Sequence, residues 1–192
     1  MYNNRYETRT KKGLNTMIDR KKRNEHILFA CADVFYEKGI EKATMRNFSE
    51  AVGYSPATIY QSYKDKHEIV KHCLVFCVEQ RNNVINEIFK ENMSHPERLF
   101  KCFKARKEEI MKWCVVIMRI ITSPYYKEMQ DGVNDLNMTA IGGYEKQLDE
   151  DVLALFMMYY SAVVHYAISG NDRFLEKEEK YIETELNKRL EK

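Results

Sequence analysis

Apolar residues recur at intervals of three and four along most of the chain, and nowhere alternate with polar ones at the period of two that a half-buried strand shows. From about Asp19, the residues Ile27, Ala30, Cys31, Val34 and Phe35 fall on one helical face. That helix is predicted to stop at Lys38-Gly39, a basic last turn followed by a residue able to adopt the left-handed conformation. Thr44 is placed to cap a short helix over about 45–52, ended by Gly53. Ser55 caps the next, to about Ser62, with Pro56 at its first position, where a missing N–H is no loss. Asp65-Lys66-His67-Glu68 has the form of a capping box. It opens a long helix that turns Ile69, Val70, Cys73, Leu74, Cys77, Val84, Ile85 and Ile88 inward.

The stretch Asn92–Glu97 is the clearest break, and Ser94 with Glu97 makes a second capping box there. Helices are expected beyond it at about 95–122 with a break near Lys112, then 124–131, 133–148, 150–169 and 172–190. Gly142-Gly143 should weaken the third of these, at roughly 1 kcal/mol per glycine relative to alanine. Residues 1–19 are polar and without periodicity, which reads as a flexible basic arm. The pattern therefore predicts an all-α chain in three parts: the arm 1–19, a unit of short helices over 20–70 joined by a long helix at 66–90, and a helical body at 91–192.

Composition narrows this further. Only 7 Gly and 3 Pro in 192 residues leave too few turn signals for a sandwich or barrel. A hydrophobic share of 44% is enough for a full core and too much for a disordered chain. No apolar run reaches the ~18–20 residues of a membrane helix and no secretory leader opens the chain. Five scattered cysteines do not form a disulfide framework, so the expected compartment is the reducing cytoplasm. The net charge of +2 is unevenly spread: residues 1–72 sum to +5 and residues 73–192 to −3. A basic front on a mildly acidic body suits a polyanionic partner at one end.

The segment 19–70 is where the chemistry concentrates. Two short helices joined through Gly53-Tyr54 make a helix-turn-helix, whose second helix is able to enter a DNA major groove. Ser55 leaves N–H groups at the start of that helix for phosphate, and Ala57 is small enough to let the backbone approach a base edge. Tyr60, Gln61, Ser62, Tyr63, Lys64 and Lys66 extend polar, aromatic and basic reach along it.

Gly39, Ala43-Thr44, Phe48-Ser49, the run Val52-Gly53-Tyr54-Ser55-Pro56-Ala57-Thr58-Ile59-Tyr60, and then Tyr63, Lys66 and Ile69 keep one ungapped register over about thirty positions. At these residues the chain resembles the tetracycline-repressor (TetR) family of bacterial transcription regulators. The helix pattern follows that family over roughly 20–90, and the remaining hundred or so residues resemble it only as a helical body of the right length. Phe48, Ser49, Val52 and Tyr54 depart from the family's usual Ile, Ala, Ala and Val. Ala57 stands where Gly is common, and Ser62 where Tyr or His often meets phosphate.

The resemblance implies DNA-binding roles for Thr44, Ser55, Thr58, Tyr60 and Lys66 at phosphates, and for Pro56, Ala57 and Gln61 at bases. Gln61 is suited to pair with adenine, for roughly 1–3 kcal/mol of discrimination. Arg46 is positioned for backbone or base, and Lys21, Lys22 and Arg23 for an extension onto phosphates or the minor groove. Tyr63, at the family's Phe position, reads as a core aromatic. The resemblance further implies a homodimer, a body that holds a small apolar or aromatic effector, and release from DNA when the Asp65–Phe89 helix swings. Such release needs about 10⁴-fold differential affinity to move a 1:99 equilibrium to 99:1. The expected partners are thus double-stranded DNA with an inverted-repeat operator, the effector and a second copy of the chain; the most economical reading is a repressor.

Independently, Leu153, Phe156, Met157, Tyr160, Val164 and Ile168 stripe one late helix, and Phe174, Leu175, Ile182, Leu186 and Leu190 the other. Both read as dimer elements. Candidate effector contacts are Phe103, Trp113, Met118, Tyr125, Met138, Tyr144 and Tyr159, although at helical spacing such residues are more often ordinary core. Cys73 and Cys77, one turn apart on an apolar stripe, read as buried small hydrophobes, and His165 as a hydrogen-bonded core or pocket residue. No cofactor or metal is called for: the chain lacks a phosphate loop, a nucleophile elbow, a zincin helix and a paired-cysteine zinc pattern. The alternatives from other classes are a helical enzyme, or an interaction module that binds no operator.

Overall fold

The computed structural model describes residues 4–108, 111–128 and 150–191, and most of their side chains from residue 19 onward. In order, the elements are α1 (Asn4–Lys38), α2 (Met45–Val52), α3 (Pro56–Tyr60), α4 (Lys66–Lys90), α5 (His95–Glu108), α6 (Met111–Ile121), a 3₁₀ turn (Pro124–Glu128), α7 (Glu150–Ser169) and α8 (Arg173–Leu190). The fold is all-helical among the described residues.

The caps act where the sequence places them. The Thr44 hydroxyl accepts from the Asn47 N–H at 3.2 Å, and Asn47 returns its side-chain oxygen to the Thr44 N–H. Gly53 closes α2 at φ 75°, and its N–H donates to the Ser49 carbonyl. Asp65 accepts from the Glu68 N–H at 2.9 Å at the start of α4. Ser94 and Glu97 form the expected reciprocal pair before α5.

Two expectations are corrected. The stretch 1–19 is not a separate arm, because α1 is already helical from Asn4. Polarity hid this: no proline interrupts residues 4–38, and a polar helix satisfies its own backbone without presenting an apolar stripe. Within the predicted 95–122 stretch, α5 and α6 flank residues 109–110, which lie outside the described residues, and Lys112 lies inside α6. Residues 124–128 form a 3₁₀ turn rather than the start of an α-helix. The predicted helix at 133–148, with Gly142-Gly143, lies outside the described residues.

A continuous core joins the two ends of the molecule. Phe35, Phe48, Ile59 and Ile69 at the helix-turn-helix end belong to the same buried cluster as Phe76, Trp113, Ile117, Ile182 and Leu186 in the body. Helix α6 is central to it. Trp113 through Met118 are all buried, and the helix packs against α1, α4 and α7. Its two cations, Lys112 and Arg119, stand seven residues apart on one face and both reach α1. Lys112 Nζ meets Asp33 at 2.7 Å, and the Arg119 guanidinium donates to the Phe35 and Tyr36 carbonyls.

No helix among the described residues is long and apolar enough to cross a membrane.

Candidate nucleic-acid interface

The short helices stand on α1. Phe35 and Phe48 meet edge to face with centroids 5.3 Å apart, so the Phe at position 48 replaces a smaller aliphatic by using the ring opposite it. The Ser49 hydroxyl donates to the Tyr54 carbonyl at 2.5 Å across the turn. Tyr54 in turn meets His26 of α1, with its hydroxyl 3.2 Å from Nδ1 and the two rings perpendicular. The substitutions at 48, 49 and 54 are therefore a mutually consistent repacking that ties the turn to α1.

The far end of α3 is braced as well. The Ser62 hydroxyl donates to the Asn24 side-chain oxygen at 2.8 Å, and the Tyr63 hydroxyl to the Asn24 carbonyl at 3.4 Å. Tyr63 is buried, as the sequence implied, and burial first, followed by nearby Cys31 and Cys73, pushes its phenol far up. Ser62, at the family's phosphate-contact position, spends its hydroxyl on α1.

With the back of the unit fixed, its front is exposed. Pro56, Ala57, Tyr60 and Gln61 face outward, and Tyr60 is 52% exposed. The Ser55 hydroxyl accepts from the Thr58 N–H at 3.2 Å and lies 2.9 Å from the Thr58 hydroxyl, capping α3. Arg46 projects from α2 and pairs with Glu50 at 2.7 Å, an exposed ion pair that holds it loosely. Thr44, Arg46, Ser55, Pro56, Ala57, Thr58, Tyr60 and Gln61 are thus all carried by one continuous stretch, α2, the turn and α3.

Lys66 is different. At the first position of α4, its ammonium donates to the Glu41 carbonyl at 3.0 Å and sits 5.3 Å from the centre of the Tyr125 ring. The neighbouring His67 ring also meets Tyr125, at 5.9 Å. Tyr125 belongs to the 3₁₀ turn after α6, so a candidate effector residue touches the start of α4 instead. Sequence spacing offers no signal for a contact between residues so far apart in the chain. Lys21 and Lys22 are exposed on α1, where Lys21 faces Glu25 at 3.8 Å.

The other candidate effector residues fare unevenly. Phe103, Trp113 and Met118 are buried in the core. Trp113 packs edge to face with Phe29 and Phe76, and Lys112 covers its ring at 4.3 Å. Met138 and Tyr144, and the side chain of Tyr159, lie outside the described residues. A groove of about 460 Å³ runs between α1 and α4, lined by Arg20, Asn24, Leu28, Tyr63, His72 and Phe76 among others, and none of the candidate effector residues lines it. Cys73 and Cys77 are buried with sulfurs 3.8 Å apart, and burial raises the Cys73 thiol well above its ordinary value.

Residues 27–73 match the profile of the bacterial regulatory proteins of the tetR family. Over those residues the chain is similar to the N-terminal domain of that family. The rest of the TetR-family fold is shared too. The chain is similar to a TetR-family transcription regulator from Marinobacter aquaeolei, at 17% identity and a TM-score of 0.56 over 88% of this chain and 94% of that one. A TetR-like transcriptional regulator from Rhodococcus sp. aligns at 17% identity and a TM-score of 0.57, covering 88% and 95% of the two chains. The TetR-family regulator PfmR from Thermus thermophilus aligns at 18% and 0.54, covering 84% and 94%. No curated protein matches the sequence significantly. Together these show a fold shared with solved TetR-family regulators, with the profile match confined to the helix-turn-helix end.

The late helices require a correction of faces. On α8, Leu175, Ile182 and Leu186 are buried within the chain, where the helix packs against α5 and α7. Phe174 and Tyr181, 53% and 50% exposed, present a second face that periodicity did not distinguish from the first. On α7 the outward positions are Ala154, Met158, Ser161, His165 and Ile168, so of the predicted stripe Ile168 faces out while Val164 is half-buried. The side chains of Leu153, Phe156, Met157 and Tyr160 lie outside the described residues. His165 is exposed rather than in the core; its ring meets that of Phe174 edge to face at 4.9 Å and its Nδ1 lies 3.3 Å from the Ser169 hydroxyl.

Proposed function

We propose that the chain is a ligand-responsive repressor that binds a palindromic operator as a homodimer and is released by a small apolar or aromatic effector. The observation that carries the DNA-binding part is the asymmetry of the helix-turn-helix unit. Its back is pinned to α1 through Phe48, Tyr54, Ser62 and Tyr63, while Pro56, Ala57, Tyr60 and Gln61 stand exposed on its front. A five-residue helix braced at both ends is a rigid probe for a groove. Thr44, Ser55, Thr58, Tyr60 and Lys66 take phosphates on this reading, Arg46 the backbone at the flank, and Gln61 a base edge.

Dimerisation is assigned to the outward faces of α7 and α8. Met158, Ile168, Phe174 and Tyr181 are large apolar or aromatic side chains left exposed on adjacent helices. A two-fold pairing there sets two reading heads about one DNA turn apart, roughly 34–36 Å. The contact of Tyr125 with Lys66 and His67 supports effector control, because it links the turn following α6 to the start of α4.

Selection of random duplex DNA by the purified protein, with sequencing of the retained pool, tests this reading. Enrichment of an inverted repeat is expected. A pool without one, after the protein has been unfolded and refolded to strip any bound ligand, would overturn it.

A further inference from the structure

Arg119 occupies the point where three helices meet. Its Nε donates to the Ala167 carbonyl at 3.1 Å, and its Nη1 to the Phe35 carbonyl at 3.0 Å and to that of Tyr36. These carbonyls belong to the last turns of α7 and α1, whose helical ladders end at Gly170 (φ 69°) and Gly39 (φ 80°). The Phe35 carbonyl also accepts from the Gly39 N–H at 3.0 Å, so the guanidinium takes its second lone pair. Carbonyls at a helix end carry the negative pole of the helix, and one cation serves both ends at once. A guanidinium suits this better than an ammonium, since its fixed fork sends separate N–H groups in separate directions. The Tyr36 ring lies 5.9 Å from the guanidinium carbon. Burial, and then a hydrogen bond to Tyr166 of α7, push the Tyr36 phenol up, so α1 and α7 also touch directly beside the clamp.

The two helices so joined have separate duties. Phe35, whose carbonyl is held, supports α2 through its ring contact with Phe48. Ala167 immediately precedes Ile168, on the outward face of α7. We propose that Arg119 is a positioning residue that fixes the reading head relative to the dimer face, and so sets the half-site spacing the dimer accepts. The proposal rests on the dimeric operator-binding reading above and adds the regulation of its geometry. Changing a spacer by one base pair turns one half-site about 35° against the other, so selectivity among spacings reports how firmly each head is held.

The test uses the full chain and a set of duplexes carrying the selected half-sites with spacers altered by one and two base pairs. The wild-type protein should favour one spacer by about tenfold or more over its neighbours, within the range by which a single wrong feature weakens a DNA site. Arg119→Met keeps the volume and removes the donors. It should remain dimeric and helical yet bind the neighbouring spacers within about threefold of the best one. A purely structural role would lower the melting temperature and weaken every duplex alike, leaving the ranking intact; that outcome overturns the proposal. Should Arg119→Met fail to fold, Arg119→Lys carries the same comparison, since it keeps the charge at both helix ends and loses the fork. Broadened spacing supports the clamp, and unchanged spacing refutes it. Failure of the wild-type protein to retain any inverted repeat would instead strike the underlying reading.

Discussion

At the residue scale, Lys66 and Gln61 separate affinity from specificity. Lys66 is held by the Glu41 carbonyl and the Tyr125 ring at the start of α4. Lys66→Ala should weaken binding to all duplexes alike and reduce the slope of log K against log salt by about 1. Gln61→Ala should leave that slope intact and relax preference at one position in each half-site, costing about 1–3 kcal/mol there. Titration of both variants across a salt series, against operator and single-base variants, distinguishes the two. The cysteines give a further residue-scale expectation. All five are buried and unpaired by disulfide, and burial pushes the Cys31 and Cys73 thiols far up. Since the thiolate is the reactive form, a thiol reagent at pH 8 should modify neither in the folded protein and both in denaturant.

At the element scale, short helices depend on how they begin and end. Gly53 closes α2 in the left-handed region, where a Cβ would meet no neighbour but would strain the backbone. Gly53→Ala should therefore cost about 1–2 kcal/mol in urea unfolding, through conformation and not through collision. Phe48→Ala should cost more, about 3–5 kcal/mol, because it empties a fully buried site against Phe35. This scale also shows what the sequence could disclose. Thr44, Gly53, Ser55-Pro56 and Asp65 punctuate the chain with local signals, so α2, α3 and the start of α4 were legible within a residue or two. The N-terminal half of α1 was not, since its sequence carries no apolar stripe to betray a helix. Tyr125 against Lys66, and Ser62 against Asn24, were equally hidden, because each joins residues that only the tertiary fold brings together.

At the scale of the whole molecule, helical periodicity marks an apolar face without saying what covers it. On α8 the buried residues Leu175, Ile182 and Leu186 and the exposed pair Phe174 and Tyr181 are all apolar or aromatic. Only the packing of α5 and α7 against one side tells the two faces apart, and the proposed dimer uses the other. Replacing both Phe174 and Tyr181 with Glu should yield a folded monomer, seen as halved mass in sedimentation with an unchanged helical spectrum. That monomer should lose cooperative binding to the inverted repeat while keeping weak binding to single half-sites.

The unbroken core from Phe48 to Leu186 has a consequence for how such a protein can be rebuilt. Reading heads grafted onto foreign sensing bodies are attractive parts for synthetic circuits, and the break at Asn92–Glu97 looks like the natural seam. A cut there leaves α1 and α4 without α6, stranding Asp33, the last carbonyls of α1 and the ring of Phe76 beside an empty groove. A transplant that works must carry α6 with the head, and the receiving body must offer Arg119 a carbonyl where α7 offers that of Ala167.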